Sequence, residues 1–374
     1  MNIKHKLGDY ITTVDIRNKN LTVNRLLGVS INKTFIESIA NTIGTDFSNY
    51  KIVRRGQFAY CPVTSRNGEK ISVALLKEDD CIISSSYTVF EITDNKKLLP
   101  EYLMLWFMQP EFDRFARFKS HGSVREIFDW QQMCDVELFV PDIEKQKKIV
   151  DIYKIITDRI VLKNRINKNL EQQAQAVFKS WVVDFETNGT LSDICNYSKN
   201  KINIDNLTLN TYYSTENIKP NRQGVLQATK LPTVKQTTAC KKGDVLVSNI
   251  RPYFKKILYC YSDCGCSTDV LCFVPNKIEF SAFLYFTLYA DKFFDYMVTG
   301  AKGTKMPRGD KQQIMMYPIY IPLLTDVEKF NRIVIPILNL ININRIENQR
   351  LSSLRDLLIP KLINGEKDVT KIQI

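Results

Sequence analysis

Apolar positions along this chain fall into two alternating patterns. Between residues 50 and 92 they come in short runs, QFAYCPV at 57–63, ISVALLK at 71–77 and CIISSSYTVFEI at 81–92, with the turn signal SRNG at 65–68 between the first two. Such runs bounded by turn residues predict strands. PEYLMLWFM at 100–108 and PEFDRFARF at 110–118 each open on Pro followed by Glu, as helix starts prefer, and predict a helical pair. The pattern returns with strand-like DVLVSN at 244–249 and DVLCFVP at 269–275, then helical FSAFLYFTLYADKFFDYMV at 280–298. Behind each globule the period changes. From Ile143 to Val183 there is neither Gly nor Pro, and apolar residues recur at 149, 153, 156, 160, 170, 174, 177 and 181. The second copy places Phe330, Val334, Ile337, Ile341, Leu351, Leu358 and Leu362 at the same phase. Both heptad stripes turn polar at the third repeat, at Lys163 and Asn167 and at Asn344 and Asn348. An isolated helix would leave such a stripe wet, so the two helices, each about 60 Å long, are expected to pair antiparallel, with the shared gap fixing their register. Pro336 is expected to kink the second helix or break it in two.

The recurrence is a duplication. DWQQMCDVELFVP at 129–141 reappears as DKQQIMMYPIYIP at 310–322, with Asp129, Gln131, Gln132 and Pro141 meeting identical residues. No gap is needed between about Pro100 and Val182, whereas upstream the match loosens and the offset drifts, RGQF at 55–58 against KGDV at 242–245 and LGDY at 7–10 against LSDI at 191–194. The expected fold is α+β: two globules of mixed α/β type separated by two long helices in a pseudo-twofold chain. The boundaries are a first globule at 1–141, a first long helix at 142–186, a second globule at 187–322, and a second long helix with a C-terminal tail at 323–374. A length of 374 residues exceeds what one core usually supports, which agrees with duplication.

Composition narrows the chemistry. The net charge of +12 points to a polyanionic partner. Its cations cluster in turn-rich segments before each D-x-QQ stretch: Arg114, Arg117, Lys119 and Arg125; Arg251, Lys255 and Lys256; Lys302, Lys305 and Arg308. Phosphate-binding glycine motifs and HExxH are absent, and two histidines, His5 and His121, cannot furnish a histidine-rich centre, so no catalytic residue and no metal ligand is assigned. Cys260, Cys264, Cys266 and Cys272 lack the paired-knuckle spacing of zinc sites and read as buried thiols. Nine cysteines, an odd number, and an opening MNIKHKLGDY without an apolar signal segment fit a cytoplasmic protein.

GSVREIFDWQQMCDVELFVPDIEKQKKI followed by NRINKNLEQQAQAVFKSWVVDFE, then GDVLVSNIRPYFKK and IENQRLSSLRDLLIPKLINGE, together resemble the DNA-specificity subunit of type I restriction-modification enzymes. One departure stands out: IPLLTDVEKFNRI lacks a counterpart of Gln146. The resemblance implies a non-catalytic subunit whose two target-recognition globules each read half of a bipartite, asymmetric DNA sequence. It also implies two methylation subunits as partners, motor-nuclease restriction subunits besides, and S-adenosylmethionine bound by the methylation subunits with no cofactor in this chain. The rival reading is a DNA-binding scaffold without methyltransferase partners. Base reading favours Arg on guanine and Asn or Gln on adenine, while Lys, Ser and Thr grip phosphates. The DNA-binding candidates are therefore Ser65, Arg66, Asn67, Lys70, Lys119, Ser123 and Arg125 in the first globule, and Asn249, Arg251, Tyr253, Lys255, Lys302, Thr304, Lys305 and Arg308 in the second. Phe178 and Trp181, expected to point away from the other helix, are the partner-binding candidates.

Overall fold

The computed structural model describes residues 3–38, 44–65, 68–120, 126–182 and 185–372. It divides the chain into two compact units, 1–161 with 349–374, and 162–348. Each unit thus takes a portion of both long helices, Ile143–Val182 and Leu324–Ile363.

Each unit holds a four-stranded antiparallel sheet of the same order. In unit 1 it runs Ile11–Val14, Thr88–Ile92, Phe58–Tyr60, Val73–Leu75. In unit 2 it runs Cys195–Tyr197, Val270–Pro275, Val245–Ser248, Ile257–Tyr259. The segment at 81–92 is two strands, Cys81–Ile83 and Thr88–Ile92, because Ser84–Tyr87 forms a turn whose Tyr87 N–H donates to Ser84 O at 3.0 Å. Likewise the apolar run at 280–298 is two helices, Ser281–Tyr289 and Asp291–Thr299, broken at Ala290, whose extended backbone (ψ 145°) cannot continue a helix. Unit 2 adds a second sheet, Lys201–Asn203, Gln236–Cys240, Cys264–Cys266, Tyr212–Tyr213, that the sequence patterns did not predict. Cys240, Cys260, Cys264, Cys266 and Cys272 lie in one apolar cluster beside it as free buried thiols, and no metal-holding group of His, Cys, Asp or Glu occurs among the described residues.

The repeated D-x-QQ motif is a helix cap and a brace. Asp129 Oδ1 accepts the Gln132 N–H at 2.8 Å while Gln132 Oε1 accepts the Asp129 N–H at 2.8 Å, a reciprocal capping box on helix Trp130–Cys134. Gln132 Nε2 then donates to Lys119 O at 2.7 Å, at the end of the preceding helix. In unit 2, Asp310 Oδ1 accepts from the Gln312 and Gln313 N–H groups, and Gln313 Nε2 donates to Tyr296 O at 3.0 Å. The missing counterpart of Gln146 has a local explanation. Buried Gln146 bonds Leu99 N–H, Lys97 O and Pro141 O, whereas the matching Val327 is buried among apolar side chains, and one helical turn later Asn331 Nδ2 donates to Glu279 O at 2.7 Å.

Within each unit the long helices run antiparallel. In unit 1, Ile149, Ile152 and Ile156 share a core with Ile359, Leu362 and Ile363. In unit 2, the polar third repeats meet: Asn344 Nδ2 donates to Asn167 Oδ1 at 2.8 Å, Asn348 Nδ2 to Asn164 Oδ1 at 2.9 Å, and Asn167 Nδ2 to Ile341 O at 3.2 Å. Lys163 bridges Asn344 Oδ1 and Glu347, and Arg345 pairs with Glu171 at 2.9 Å, where burial pushes the Glu171 carboxyl up. Of the kink or break expected at Pro336, the break does not occur: the second helix is continuous from Leu324 to Ile363. Replacing Asn344 alone by Leu is expected to destabilise unit 2 by about 1–3 kcal/mol, because buried Asn167 then loses a partner. Replacing Asn167 and Asn344 together by Leu should recover most of that loss while weakening register. Urea midpoints of the single and double variants test this; equal losses in both would show that the pair is not coupled.

Phe178 and Trp181 are placed differently from the expectation. Phe178 is buried among Phe283, Phe286 and Phe330, and the Trp181 ring stands edge-on to Phe330 at 6.0 Å. The physical reason is the size of the ring stripe: these side chains carry the largest apolar areas on that stretch of helix and complete the core of unit 2.

Candidate nucleic-acid interface

In both units a turn that leaves the central sheet strand is stitched to the segment that precedes the capped D-x-QQ helix. Unit 1 has Thr64 N–H donating to Glu126 O at 2.9 Å and Phe128 N–H to Pro62 O at 2.8 Å. Unit 2 has Arg251 N–H donating to Pro307 O at 2.8 Å and Gly309 N–H to Asn249 O at 3.3 Å. The same two-bond antiparallel bridge joins residues more than fifty positions apart in each copy. The turns entering the central strands match too: Gly56 and Gly243 have φ of 90° and 95°, and their N–H groups both donate across to the next strand region, to Leu76 O and Cys260 O at 2.9 Å.

In unit 2 this bridge brings two cation-bearing loops together. The loop at 302–308 is closed by paired bonds between Lys302 and Arg308, 2.9 Å each way, with Gly303 at φ 100° supplying a conformation that side chains rarely adopt. Thr304 and Lys305 are exposed at its tip, and Arg251 Nη2 reaches Lys305 O at 3.4 Å. Arg308 pairs with Asp269 at 3.0 Å and Lys302 with Asp310 at 2.7 Å, which raises the Lys302 ammonium through that bond. Two candidates are more structural than their sequence setting suggested. The Asn249 side chain is buried, and among the described residues its buried Oδ1 finds no hydrogen-bond partner. Lys255 is tied at 2.6 Å to Asp291, which also accepts from Arg222 at 2.7 Å; the two bonds hold the Asp291 carboxyl down at about 2. Sequence reasoning missed Arg222, whose guanidinium lies 4.8 Å over Tyr289 and 5.3 Å over Phe294, since its partners lie about seventy residues away.

In unit 1, Ser65, Lys70 and Lys119 are exposed, whereas Arg66, Asn67, Ser123 and Arg125 lie outside the described residues. The Lys119 ammonium lies 5.9 Å over Phe115 and 6.0 Å over Phe118. Arg114, Arg117 and Lys119 sit on helix Pro110–Lys119, so this cluster is a helix face and not the expected turn; the acid-free window hid its partners, Glu111 and Glu126. Lys70, Arg114 and Arg117 line an open groove of about 740 Å³ with Lys33, Glu69, Asp113 and the 82% exposed Phe118. A groove with cations on its rim and an aromatic ring beside them suits a sugar-phosphate backbone.

The profile of the type I restriction modification DNA specificity domain matches this chain twice, over residues 10–172 and 183–355. The chain belongs to that family. The two matched stretches correspond to the two copies of the duplication, and the bridge recurs once in each. The chain is 33% identical over 164 residues to the type I restriction enzyme HindI specificity subunit of Haemophilus influenzae, a match covering 42% of this chain and 35% of that relative. It is 23% identical over 305 residues to the type I restriction enzyme MjaIX specificity subunit of Methanocaldococcus jannaschii, covering 74% of this chain and 71% of that one. Its fold resembles the crystal structure of the type I restriction-modification system S subunit from M. genitalium, with a TM-score of 0.62, 14% identity and 96% of each chain covered. No helix among the described residues is long and apolar enough to cross a membrane.

Proposed function

We propose that this chain is the sequence-specific DNA-binding subunit of a type I restriction-modification complex, acting in the cytoplasm without chemistry of its own. Each bridged loop pair reads one half of a bipartite, asymmetric target, the half-sites lying roughly 34 Å apart in successive major grooves. The outward faces of the long helices receive two methylation subunits, which bind S-adenosylmethionine and transfer its methyl group, and restriction subunits where the host makes them. The observation that carries this reading is the recurrence of one loop-to-loop bridge in two units, each flanked by cations but with unlike loop sequences. Common scaffolds with divergent loops suit two different half-sites. Mapping methylated adenines in host DNA by long-read sequencing gives both half-sites and their spacing, and copurification should return two methylation subunits per chain. A chain that binds DNA but copurifies alone would favour the scaffold reading.

Among the candidates, Arg251 and Lys305 carry the sharpest expectation. Arg251→Ala is expected to cost about 1–3 kcal/mol at the half-site read by unit 2 if its guanidinium contacts guanine, and to leave the other half-site unchanged. Lys305→Ala should instead lower affinity for all sequences alike and reduce the salt slope by about one unit. Binding to duplexes altered in either half-site, at two salt concentrations, separates these outcomes; a changed preference at both half-sites would show that the units do not read independently.

A further inference from the structure

The turn between strands Val245–Ser248 and Ile257–Tyr259 is held in an unusual shape. It contains a single 3-10 turn, Pro252–Phe254, flanked by Arg251 at φ 50° and ψ 64° and by Lys255 at φ 50° and ψ 49°. Both are left-handed conformations that residues with a Cβ avoid, and such strain persists only where the surroundings over-determine it and clusters at functional sites. Here the surroundings do so. Arg251 N–H is bonded to Pro307 O at 2.8 Å, Asn221 N–H to Phe254 O at 2.8 Å, and Arg222 N–H to Lys255 O at 3.1 Å, while Asp291 clamps Lys255 and Arg222 together.

What this clamped turn presents is aromatic. Tyr253 is 49% exposed and Phe254 37% exposed, their ring centroids 4.8 Å apart and their planes 57° apart. Turns that only reverse a chain favour Gly, Pro, Asn, Asp and Ser over exposed aromatic rings. Two rings tilted by that angle on a short convex turn cannot both lie flat on one surface, but they match the open angle of a kinked base step. Neighbouring cations brace the turn: Arg251 Nη2 reaches Lys305 O at 3.4 Å, and the Lys256 ammonium donates to Thr215 O and lies 5.9 Å over the Phe254 ring.

We propose that Tyr253 and Phe254 form a rigid aromatic wedge that unstacks one base step of the DNA half-site read by unit 2. This rests on the DNA-reading function proposed above. Insertion of apolar side chains between base pairs kinks a duplex and makes its sequence-dependent stiffness part of recognition, so the wedge would favour a flexible pyrimidine–purine step at a position no side chain reads directly.

The test uses the full chain in its purified complex and duplexes carrying the mapped target, with 2-aminopurine replacing one adenine at a time outside the methylated positions. On binding, emission should rise several-fold at a single step in one half-site. The double variant Tyr253→Ala, Phe254→Ala should abolish that rise and weaken binding by roughly 10-fold or more, as expected for lost base stacking. Tyr253→Phe should keep the rise, and an unchanged urea midpoint followed by Trp181 fluorescence shows that unit 2 of the double variant is folded. Binding seen by fluorescence anisotropy with no emission rise at any probed position overturns the wedge and leaves DNA reading intact, as does a rise that survives the double substitution. Absence of any anisotropy change with the unaltered chain overturns the DNA reading and the wedge with it.

Discussion

Phe330→Ala is expected to destabilise unit 2 by about 3–5 kcal/mol, the usual range for removing a fully buried phenyl ring from a packed core. Phe330 is completely buried and is met by four rings, Phe178 at 6.1 Å, Trp181 at 6.0 Å, Phe283 at 6.2 Å and Phe286 at 6.3 Å. Those four rings come from two separate stretches of chain, the end of the first long helix and the helix Ser281–Tyr289, and Phe330 brings the start of the second long helix against both. Its loss removes the contact that joins them, and rings held on two separate helices cannot all collapse into the space left behind. Trp181 fluorescence followed through urea unfolding reads the effect directly, because Trp106 and Trp130 belong to unit 1 and can be replaced by Phe for the measurement. A midpoint shift worth less than 1 kcal/mol would mean that the cluster relaxes to fill the cavity.

Asp113→Ala should cost unit 1 about 3–5 kcal/mol, because it leaves a buried ammonium without its counter-ion. Lys33 is 7% exposed and Asp113 12% exposed, and their 2.6 Å ion pair lies on the floor of the basic groove. Asp113 Oδ1 also accepts the Ile71 N–H at 3.1 Å, so its removal leaves that buried backbone donor without this bond as well. Burial already lowers the Lys33 pKa below its ordinary 10.5, against the opposing pull of Asp113. Without that carboxylate it falls further, so in the variant the folded state binds fewer protons than the unfolded state over a wider window below 10.5. Stability of the variant relative to the parent should therefore improve as pH rises toward that value. The double variant Lys33→Met, Asp113→Leu, with the charge removed, should lie within about 1–2 kcal/mol of the parent at neutral pH. Denaturation at pH 7 and pH 9.5 checks both statements; a pH-independent loss would show that Lys33 finds water once Asp113 is gone.

These expectations draw on two kinds of information. The long helices, their polar third repeats and the Pro starts at Pro100 and Pro110 were legible in the sequence, as was the recurrence of D-x-QQ, though not its role as a helix cap. The helix signals depend on residues within one or two turns of each other. The drift of the offset between the halves was legible as well, and the bridges give it a meaning: one side of each bridge, at Glu126 and Phe128 or Pro307 and Gly309, keeps the spacing of the helical region, while the other side, at Pro62 and Thr64 or Asn249 and Arg251, follows the looser spacing of the sheet.

Which cations are available to DNA was not legible. A run such as NIRPYFKK shows its charge but not that Lys255 is held by Asp291, thirty-six residues on, while Tyr253 is left exposed. Phe178 and Trp181 likewise looked like an outward face, but Phe178 packs on the helix Ser281–Tyr289 and Trp181 on Phe330, and no heptad count can report this because those partners lie a hundred residues or more away. The sequence alone determined that one design occurs twice, with antiparallel-capable helices, basic loops and no recognisable catalytic motif, since periodicity, capping and composition are local properties of the chain. The tertiary structure decided which loops meet, which charges are neutralised by neighbours and which rings remain exposed, because backbone bridges and ion pairs between distant segments depend on how the intervening sheet closes.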